Sequence, residues 1–166
     1  MNKSGLIEQL YSRYYEPLMV IACSYTHNRQ AAEDLVQNAF LKAILSYKPT
    51  GSFLSWANRV IRNDFLNSIR AEKYRADNEP EMMDLADCYD ILESLIHNEK
   101  KARLAAMIAS LPLRQRTIMI ESVYLELDDA QIAKAHAMTE ANIRQIRSRA
   151  KKALIKMMEN EEDANE

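Results

Sequence analysis

The sequence predicts an all-α protein. It has 166 residues, of which only two are glycine and four are proline, while Ala, Leu, Ile and Met are frequent. Hydrophobic residues make up 48% of the chain, which is ample for a packed core. We find no convincing run in which apolar and polar residues alternate as they do in a half-buried strand. The length allows one domain or two small ones, built from helices.

The first helical pattern lies close to the start of the chain. Apolar residues recur every three or four positions between Leu6 and Ile21, which predicts an amphipathic helix with Ser4 as its N-cap. Pro17 lies inside this pattern. Because proline lacks a backbone donor, we expect Pro17 to kink the helix or to split it in two.

Two further helices are predicted in the first half. One is expected over about 30–46 with Asn28 as its cap, and on periodicity alone its polar face is a solvated surface. A loop at 48–52 follows, because Pro and Gly lie two positions apart there. Ser52 can cap the next helix, which is expected over about 53–72.

The third predicted helix carries groups that suit single-stranded nucleic acid. Trp56 offers a stacking plane, and the arginines and amides around it are Arg59, Arg62, Arg70, Asn58, Asn63 and Asn67. The plainer alternative is that Trp56 belongs to the core and that the arginines serve solubility.

Charge is distributed unevenly along the chain. Residues 77–98 carry −7 and residues 159–166 carry −5, so a net charge of −2 leaves +10 on the remainder. Local fields are what a polyanion experiences, so the overall charge does not exclude a nucleic-acid partner. We read 77–93 as an acidic, partly flexible linker between two domains, and 159–166 as a frayed acidic tail.

The second half predicts a helix-turn-helix. A helical pattern resumes at Ile91 and ends at Leu111, and another helix follows Pro112 to about Leu125. A short helix over about 129–135, which Asp128 and Gln131 can cap as a capping box, then precedes a turn at 136–138 and a long helix over about 140–158, which Thr139 can cap. The long helix has six basic residues and one acidic one, a net +5 that suits the DNA major groove.

The same sequence excludes several classes of protein. It has no Gly-rich phosphate loop, zinc-protease motif or nucleophile motif, and the three histidines lack metal-ligand spacing, so we expect no enzyme, cofactor or metal site. Cys23 and Cys88 are far apart and predict two reduced structural thiols. The N-terminus has no apolar signal core and no segment is long enough to span a bilayer, so a cytoplasmic protein is expected.

Two blocks of the sequence together resemble the extracytoplasmic-function (ECF) sigma factors of bacterial RNA polymerase. Region 2 of that family is similar to LYSRYYEPL (10–18), AEDLVQNAFLKA (32–43) and SFLSWANRVIRNDFLNSIR (52–70). Region 4 is similar to LPLRQRTIM (111–119) and QIAKAHAMTEANIRQIRSRAKKAL (131–154). The resemblance covers about 6–154, and AEDLVQ is its most specific piece. It implies two small helical domains, over 1–76 and 94–158, joined by the linker.

The resemblance also implies roles for individual residues. The motif that docks on core RNA polymerase matches Asp34, Leu35 and Gln37, and Asn38 occupies a further position of the same contact. The elements that melt the −10 promoter element and capture its unpaired bases match Lys48, Thr50, Ser52, Phe53, Trp56, Arg59, Arg62, Asn63 and Arg70. The face that reads −35 DNA matches Thr139, Asn142, Arg144, Gln145, Arg147, Ser148, Arg149 and Lys151. The linker matches the segment that threads through the polymerase near the RNA path.

This chain departs from the family pattern at four places. The family usually has Glu at the position of Asn38, and Leu at the position of Ala57. It favours Leu-Gly at 136–137, so Ala137 is expected to form a less open turn. The usual order of a basic and then an apolar residue is reversed at 146–147. Helical spacing from Ile143 places Ile146, Ala150 and Leu154 inward, and this tilts Arg147 toward DNA.

The family further implies an anti-sigma factor, often membrane-anchored, and no small-molecule substrate. Two alternatives remain open on the sequence. One is a stand-alone helix-turn-helix transcriptional regulator, whose first half would sense a signal or dimerise and which would bind duplex DNA without polymerase. The other is a helical interaction protein whose basic face binds acidic proteins.

Overall fold

A computed structural model describes residues 2–75 and 85–165. Within these two ranges the regular structure is helical and contains no strand, which confirms the all-α prediction. In chain order the elements are α1 (Lys3–Thr26), α2 (Arg29–Ser46), α3 (Phe53–Arg75), α4 (Leu85–Ile96), α5 (Glu99–Ser110), α6 (Leu113–Met119), a π-helix (Ile120–Tyr124), α7 (Asp129–His136) and α8 (Glu140–Ala164).

The start of α1 differs from the prediction. Its N-cap is Asn2, whose Oδ1 accepts a hydrogen bond from the backbone N–H of Gly5 at 2.9 Å, so the assignment of Ser4 as the cap is wrong. The helix also continues through Pro17, so the predicted split is wrong. Pro17 is exposed, and water can satisfy the backbone carbonyl that lacks its usual donor.

The caps of α2 and α3 are the predicted ones. The Oδ1 of Asn28 accepts from the backbone N–H of Ala31 at 2.9 Å, and the Oγ of Ser52 accepts from that of Ser55 at 3.2 Å. Each side chain satisfies a donor that the first turn of a helix leaves without an intrahelical partner. The local sequence therefore fixes where both helices begin.

An aromatic cluster holds the loop at 48–52 against the first three helices. Phe53 is buried, and its ring centroid lies 5.2–5.9 Å from the rings of Tyr14, Phe40, Tyr47 and Trp56. Offset and tilted ring pairs at such distances add to the stabilisation that burial alone gives. The N-terminus of α3 is therefore anchored at the point where the loop ends.

The helix-turn-helix forms as predicted, with both of its caps. The Oδ1 of Asp128 accepts from the backbone N–H of Gln131 at 2.8 Å, while Gln131 accepts from the backbone N–H of Asp128 at 2.9 Å. Thr139 caps α8 by accepting from the backbone N–H of Asn142 at 3.1 Å. A small core beneath the motif comprises Ile118, Ile132, Ala133, Ile143 and Ile146.

The turn between α7 and α8 differs from the expectation. Ala137 adopts φ 52° and ψ 45°, the left-handed conformation that glycine would take, so the expectation of a less open turn is wrong. An L-residue with a Cβ pays about 1 kcal/mol for this conformation. The caps and the buried isoleucines on either side of the turn hold it in place.

The helix α4 begins earlier than predicted. Its first residue, Leu85, lies inside the segment 77–93 that was read as a linker, and Leu92 on this helix is buried in the main core. The apolar spacing of its residues explains the difference, since it gives α4 one face to pack against α1 and α5. Residues 77–84 of the predicted linker lie outside the described part of the chain.

The acidic tail also differs from its prediction. α8 continues to Ala164, so the expectation that the chain frays from Glu159 is wrong. The carboxylate of Glu161 lies 3.9 Å from the guanidinium of Arg103 on α5, and Met157 packs against the main core one turn earlier. These contacts stabilise the acidic end of α8 as a helix, although its composition alone does not predict one.

The two halves of the chain share one apolar core. The main cluster contains residues of α1, α2 and α3 together with residues of α4, α5, the π-helix and α8. The Nε2 of His27, at the end of α1, donates to the backbone carbonyl of Ala109 on α5 at 2.6 Å, and burial lowers the pKa of this imidazole. Burial likewise raises the pKa of Tyr25 to about 12, so its phenol stays neutral.

Arg116 of α6 joins the two halves at the C-terminal end of α1. Its Nη1 donates to the backbone carbonyls of Ser24 and Tyr25 at 2.9 and 3.0 Å, and its Nε donates to that of Leu111 at 3.2 Å. The last carbonyls of an α-helix lack intrahelical partners and lie at the negative end of its dipole. A buried guanidinium therefore satisfies polar groups that α1 would otherwise leave unpaired.

We expect Arg116→Met to lower the free energy of unfolding by about 2–3 kcal/mol, because it leaves buried carbonyls without donors. Urea denaturation followed by circular dichroism measures this. Arg114→Met, on the exposed side of the same helix, removes the same charge and should leave the midpoint nearly unchanged. Equal midpoints for the two variants would contradict the role assigned to Arg116.

Candidate functional site

The predicted polymerase-docking residues lie on one face of α2. Asp34 and Gln37 are exposed, and Leu35 is partly buried against the main core. The amide of Gln30 donates to the Oδ1 of Asp34 at 3.1 Å, one turn earlier on the same helix. The polar face is therefore accessible, and two of the three side chains that match the family motif point to solvent.

Asn38 differs from its neighbours because it has a partner on another helix. Its Nδ2 donates to the Oδ2 of Asp64 on α3 at 2.8 Å, and the Nζ of Lys42 donates to both oxygens of Asp64 at 2.9 and 3.1 Å. A Glu at position 38, as in the family pattern, would bring a second carboxylate to Asp64. The departure at Asn38 thus has a physical cause in this chain.

Sequence reasoning placed Lys42 on the polar face of α2 but missed Asp64 and the contact between the two residues. The two residues are 22 positions apart, and no local motif connects them. Once both helices are built, the three polar side chains form a small network that orients α2 against α3. The sequence indicates this contact only by placing residues of opposite charge on two consecutive amphipathic helices.

An apolar patch borders the polar face of α2. Leu41, Ile44 and Leu45 are exposed, Leu45 to 82%, and the neighbouring exposed ring of Tyr11 packs on Phe40. Their spacing of three and four positions places them on one side of the helix, and this spacing is a signal that the sequence itself carries. Exposed apolar groups that lie together in this way are typical of a surface that binds another protein.

The predicted −10 residues divide into exposed and inward-facing groups. Exposed side chains are Lys48, Thr50, Ser52, Arg59, Asn63 and Arg70. Phe53 is buried in the aromatic cluster, and Trp56 is partly buried with its ring 5.2 Å from that of Tyr47. Ala57 is fully buried in the core.

Arg62 is the −10 candidate that forms a contact across the two halves. Its guanidinium pairs with the carboxylate of Glu121 in the π-helix, and the Nε2 of His136 lies 3.2 Å away. Asn58 is buried beside it, with its Nδ2 3.4 Å from the same carboxylate. Arg62 therefore differs from Arg59 and Arg70, which are exposed on the same helix. The sequence does not predict this contact.

The recognition helix α8 presents one polar face. Its exposed candidates for −35 readout, together with the capping threonine, are Thr139, Asn142, Arg144, Gln145, Ser148, Arg149 and Lys151. Ile143, Ile146, Ala150 and Leu154 are buried, as the helical spacing predicted. Side chains at successive turns of the exposed face are spaced to follow a groove of duplex DNA.

Arg147 is the −35 candidate that α7 holds. Its guanidinium pairs with the carboxylate of Asp129, in the first turn of α7, and the arginine is only partly exposed. The pair ties the recognition helix to its neighbour. Contact with DNA would require Arg147 to share or exchange this carboxylate.

The described part of the chain offers neither a metal-binding cluster nor a membrane-spanning helix. Residues 2–75 and 85–165 contain no group of three or more His, Cys, Asp or Glu side chains that could hold a metal ion. Over the same ranges, none of the helices has the length and apolar content needed to cross a bilayer. The surfaces of α2, α3 and α8 remain as the candidate site.

Comparisons with known proteins agree on one family. Residues 10–75 match the model of sigma-70 region 2, and residues 101–154 match that of sigma-70 region 4. The chain is 25% identical over 164 residues to the RNA polymerase sigma factor YlaC of Bacillus subtilis (strain 168), covering 95% of each chain. It is 26% identical over 160 residues to the ECF RNA polymerase sigma factor SigM of the same organism, covering 89% of this chain and 92% of that one.

We expect Asn38→Glu to lower the free energy of unfolding by about 1 kcal/mol, because two carboxylates then meet at the network of Asp64 and Lys42. Adding Asp64→Asn to this variant should restore most of the loss. Gln37→Glu makes the same change on the exposed side of α2 and serves as the control. Chemical denaturation of the four proteins measures the effect, and an equal midpoint for Asn38→Glu and Gln37→Glu would contradict it.

Proposed function

We propose a division of function between the two halves of this chain, which belongs to the ECF sigma factors of the sigma-70 family. The family directs RNA polymerase to promoters and initiates transcription there, and its members are not enzymes. We infer that residues 1–76 bind core polymerase and the −10 element, and that residues 94–158 bind the −35 element. The observation that supports this most is the presence of both family regions, in order, on one chain.

Polymerase docking is assigned to the exposed face of α2. Asp34 and Gln37 supply charge and hydrogen bonds, and Leu35 and Asn38 fix the edge of the face against the bundle. The adjoining apolar patch of Leu41, Ile44 and Leu45 supplies the area that a stable interface needs beyond polar contacts. An accessible polar face beside an apolar one supports this assignment.

Promoter melting is assigned to the loop at 48–52 and to α3. Lys48, Arg59 and Arg70 are exposed and can neutralise phosphates, while the hydroxyls of Thr50 and Ser52 can bond an extruded base. Trp56 packs against the rings of Tyr47 and Phe53 but is only partly buried, so its ring can also stack on an unpaired base. Anchoring of the loop by Phe53 supports this assignment, since it fixes the position of these groups.

Duplex readout is assigned to α8. Arg144 and Gln145 lie in its second turn and can pair with base edges in the major groove. Arg149 and Lys151 are further along the same exposed helix and can neutralise phosphates. The capped N-terminus and buried isoleucines support this assignment because they hold the helix rigid.

Further statements about the protein follow from the family and are proposals for this chain. It has no catalytic activity of its own and binds no cofactor. It works in the cytoplasm, where polymerase and promoters are. An anti-sigma factor, in some cases anchored in the membrane, holds it inactive by masking its two binding regions.

Run-off transcription with purified core polymerase tests the function directly. A genomic template library should yield promoter-specific transcripts that depend on the added protein. Binding of duplex promoter DNA without polymerase, and no transcript, would favour a stand-alone helix-turn-helix regulator instead. Neither transcripts nor sequence-specific binding would favour the helical interaction protein.

We expect Asp34→Ala to weaken binding to core polymerase about tenfold, the effect of removing one charged group from an interface. Glu33→Ala is the matched control, because Glu33 is a neighbouring carboxylate that pairs with Arg29 within α2 at 3.6 Å. Fluorescence anisotropy with labelled protein measures both affinities. Equal affinities for the two variants would remove Asp34 from the interface.

We expect Arg144→Ala to reduce transcription about tenfold or more at promoters that depend on −35 contacts, because one base-reading arginine contributes about 1–3 kcal/mol. A template that does not need −35 contacts should be transcribed normally. Run-off assays on the two templates separate these outcomes. An equal loss on both would show that the substitution damages the fold rather than DNA readout.

A further inference from the structure

One basic residue of the recognition helix already has an acidic partner within the chain. The Nη1 of Arg147 donates to the Oδ1 of Asp129, and the two side chains are 27% and 17% exposed. Water and salt therefore screen this pair less than they screen a pair on an open helix face. Within residues 2–75 and 85–165, the other basic side chains of α8 are exposed and form no ion pair: Arg144, Arg149, Lys151, Lys152 and Lys156.

The carboxylate of Asp129 is not needed to cap α7. Asp128 accepts a hydrogen bond from the backbone N–H of Gln131, and the side chain of Gln131 accepts one from the backbone N–H of Asp128, which completes the capping box. Asp129 follows as the first residue of α7, where the positive end of the helix dipole favours a carboxylate. Its charge is therefore stable at this position and is available to Arg147.

Arg147 lies at the border between the buried and the exposed face of α8. Ile143 and Ala150, four positions before it and three after it, are buried. Arg144 and Lys151, three positions before it and four after it, are exposed on the same side of the helix. A side chain at the edge of a helix in the major groove lies nearer to the phosphates of the groove wall than to the base edges. Arg147 is thus the middle one of three cations that can follow a DNA strand.

A carboxylate and a phosphate compete for the same donors of an arginine. While Asp129 holds Arg147, the charge of the guanidinium is offset, so a phosphate gains little by approaching it. Taking the place of the carboxylate would leave Asp129, which is mostly shielded from water, without its partner. The pair is therefore the state that duplex DNA meets, and the row of three cations acts as two.

We propose that Asp129 is a positioning residue that withholds Arg147 from DNA and so limits the affinity of the recognition helix for phosphate. The inference rests on the proposed function, because it takes α8 as the element that binds duplex DNA. It removes Arg147 from the −35 contacts of the unmodified chain. Phosphate contacts carry no sequence information, so Asp129 lowers the affinity for every duplex alike. Contacts with base edges then supply a larger share of the binding free energy.

The test uses the full chain and a fluorescent DNA duplex of mixed sequence, with anisotropy recorded over a range of salt concentrations. Asp129→Asn keeps the shape of the side chain but removes the charge that holds Arg147. We expect this variant to bind the duplex about eightfold more tightly at about 0.1 M salt, because one added phosphate contact makes the slope of log K against log salt steeper by about 0.9. The steeper slope is the second readout.

Asp128→Asn is the matched control for Asp129→Asn. It removes the same charge one position earlier, from an exposed side chain that does not contact Arg147. An asparagine at this position still caps α7, so the fold is kept. Salt screens an exposed charge, and we expect the affinity for the duplex to rise less than about twofold.

Arg147→Gln separates release of the arginine from loss of a nearby negative charge. In the unmodified chain it should change the affinity less than about twofold, because the arginine is already paired. Added to Asp129→Asn, it should abolish the gain in affinity and return the salt slope to its original value. Arg149→Gln removes an exposed cation that the proposed function assigns to phosphate, and it should weaken binding about eightfold.

Three results would each overturn the role of Asp129: a gain that Asp128→Asn reproduces, a gain that persists after Arg147→Gln, or equal losses in Arg147→Gln and Arg149→Gln. Failure of both the unmodified chain and Asp129→Asn to bind the duplex would overturn it too. If circular dichroism shows that Asp129→Asn does not fold, Arg147→Gln decides alone by its affinity and salt slope. Run-off transcription with the unmodified chain scores the proposed function separately. An absent transcript with the expected order of affinities counts against that function and not against the role of Asp129.

Discussion

The buried guanidinium of Arg116 is the interaction on which the shape of this chain depends. The C-terminal carbonyls of α1 need donors, and no side chain of the first half supplies donors to Ser24 and Tyr25 among the described contacts. Arg116 supplies them from α6, and in doing so brings the second half against the first. The shared apolar core and the contact of His27 with Ala109 belong to the same arrangement of the two halves. The free-energy cost of removing water from the Arg116 guanidinium is offset because this one group donates to three carbonyls.

Features that depend on neighbouring residues could be predicted from the sequence. The caps at Asn28, Ser52 and Thr139 were correct because each needs only a side chain that reaches a donor three positions ahead. The inward face of α8 was correct because helical spacing alone decides it. Pro17 and the acidic tail were misjudged for the opposite reason, since solvent access and contacts with α5 override the local preference there.

Features that join distant parts of the chain could not be predicted. Asn38 and Asp64 are 26 positions apart, and Arg62 and Glu121 are 59 apart, so no spacing rule connects them. The family resemblance implied which faces bind polymerase and DNA, but not which of their side chains pair with acidic residues of the same chain.

Three of the candidate binding residues are held by carboxylates in the free chain: Asn38 by Asp64, Arg62 by Glu121 and Arg147 by Asp129. Under the proposed function, binding to polymerase or DNA at these positions would exchange one partner for another and would not create a contact where none existed. Such an exchange replaces one contact to an oxygen acceptor by a similar one, so its net free energy is small. Most of the affinity for polymerase and DNA would then come from the exposed groups of α2, α3 and α8. The paired residues would contribute only after they leave their carboxylate partners. The same acids that stabilise the free chain therefore compete with any other partner of Asn38, Arg62 and Arg147.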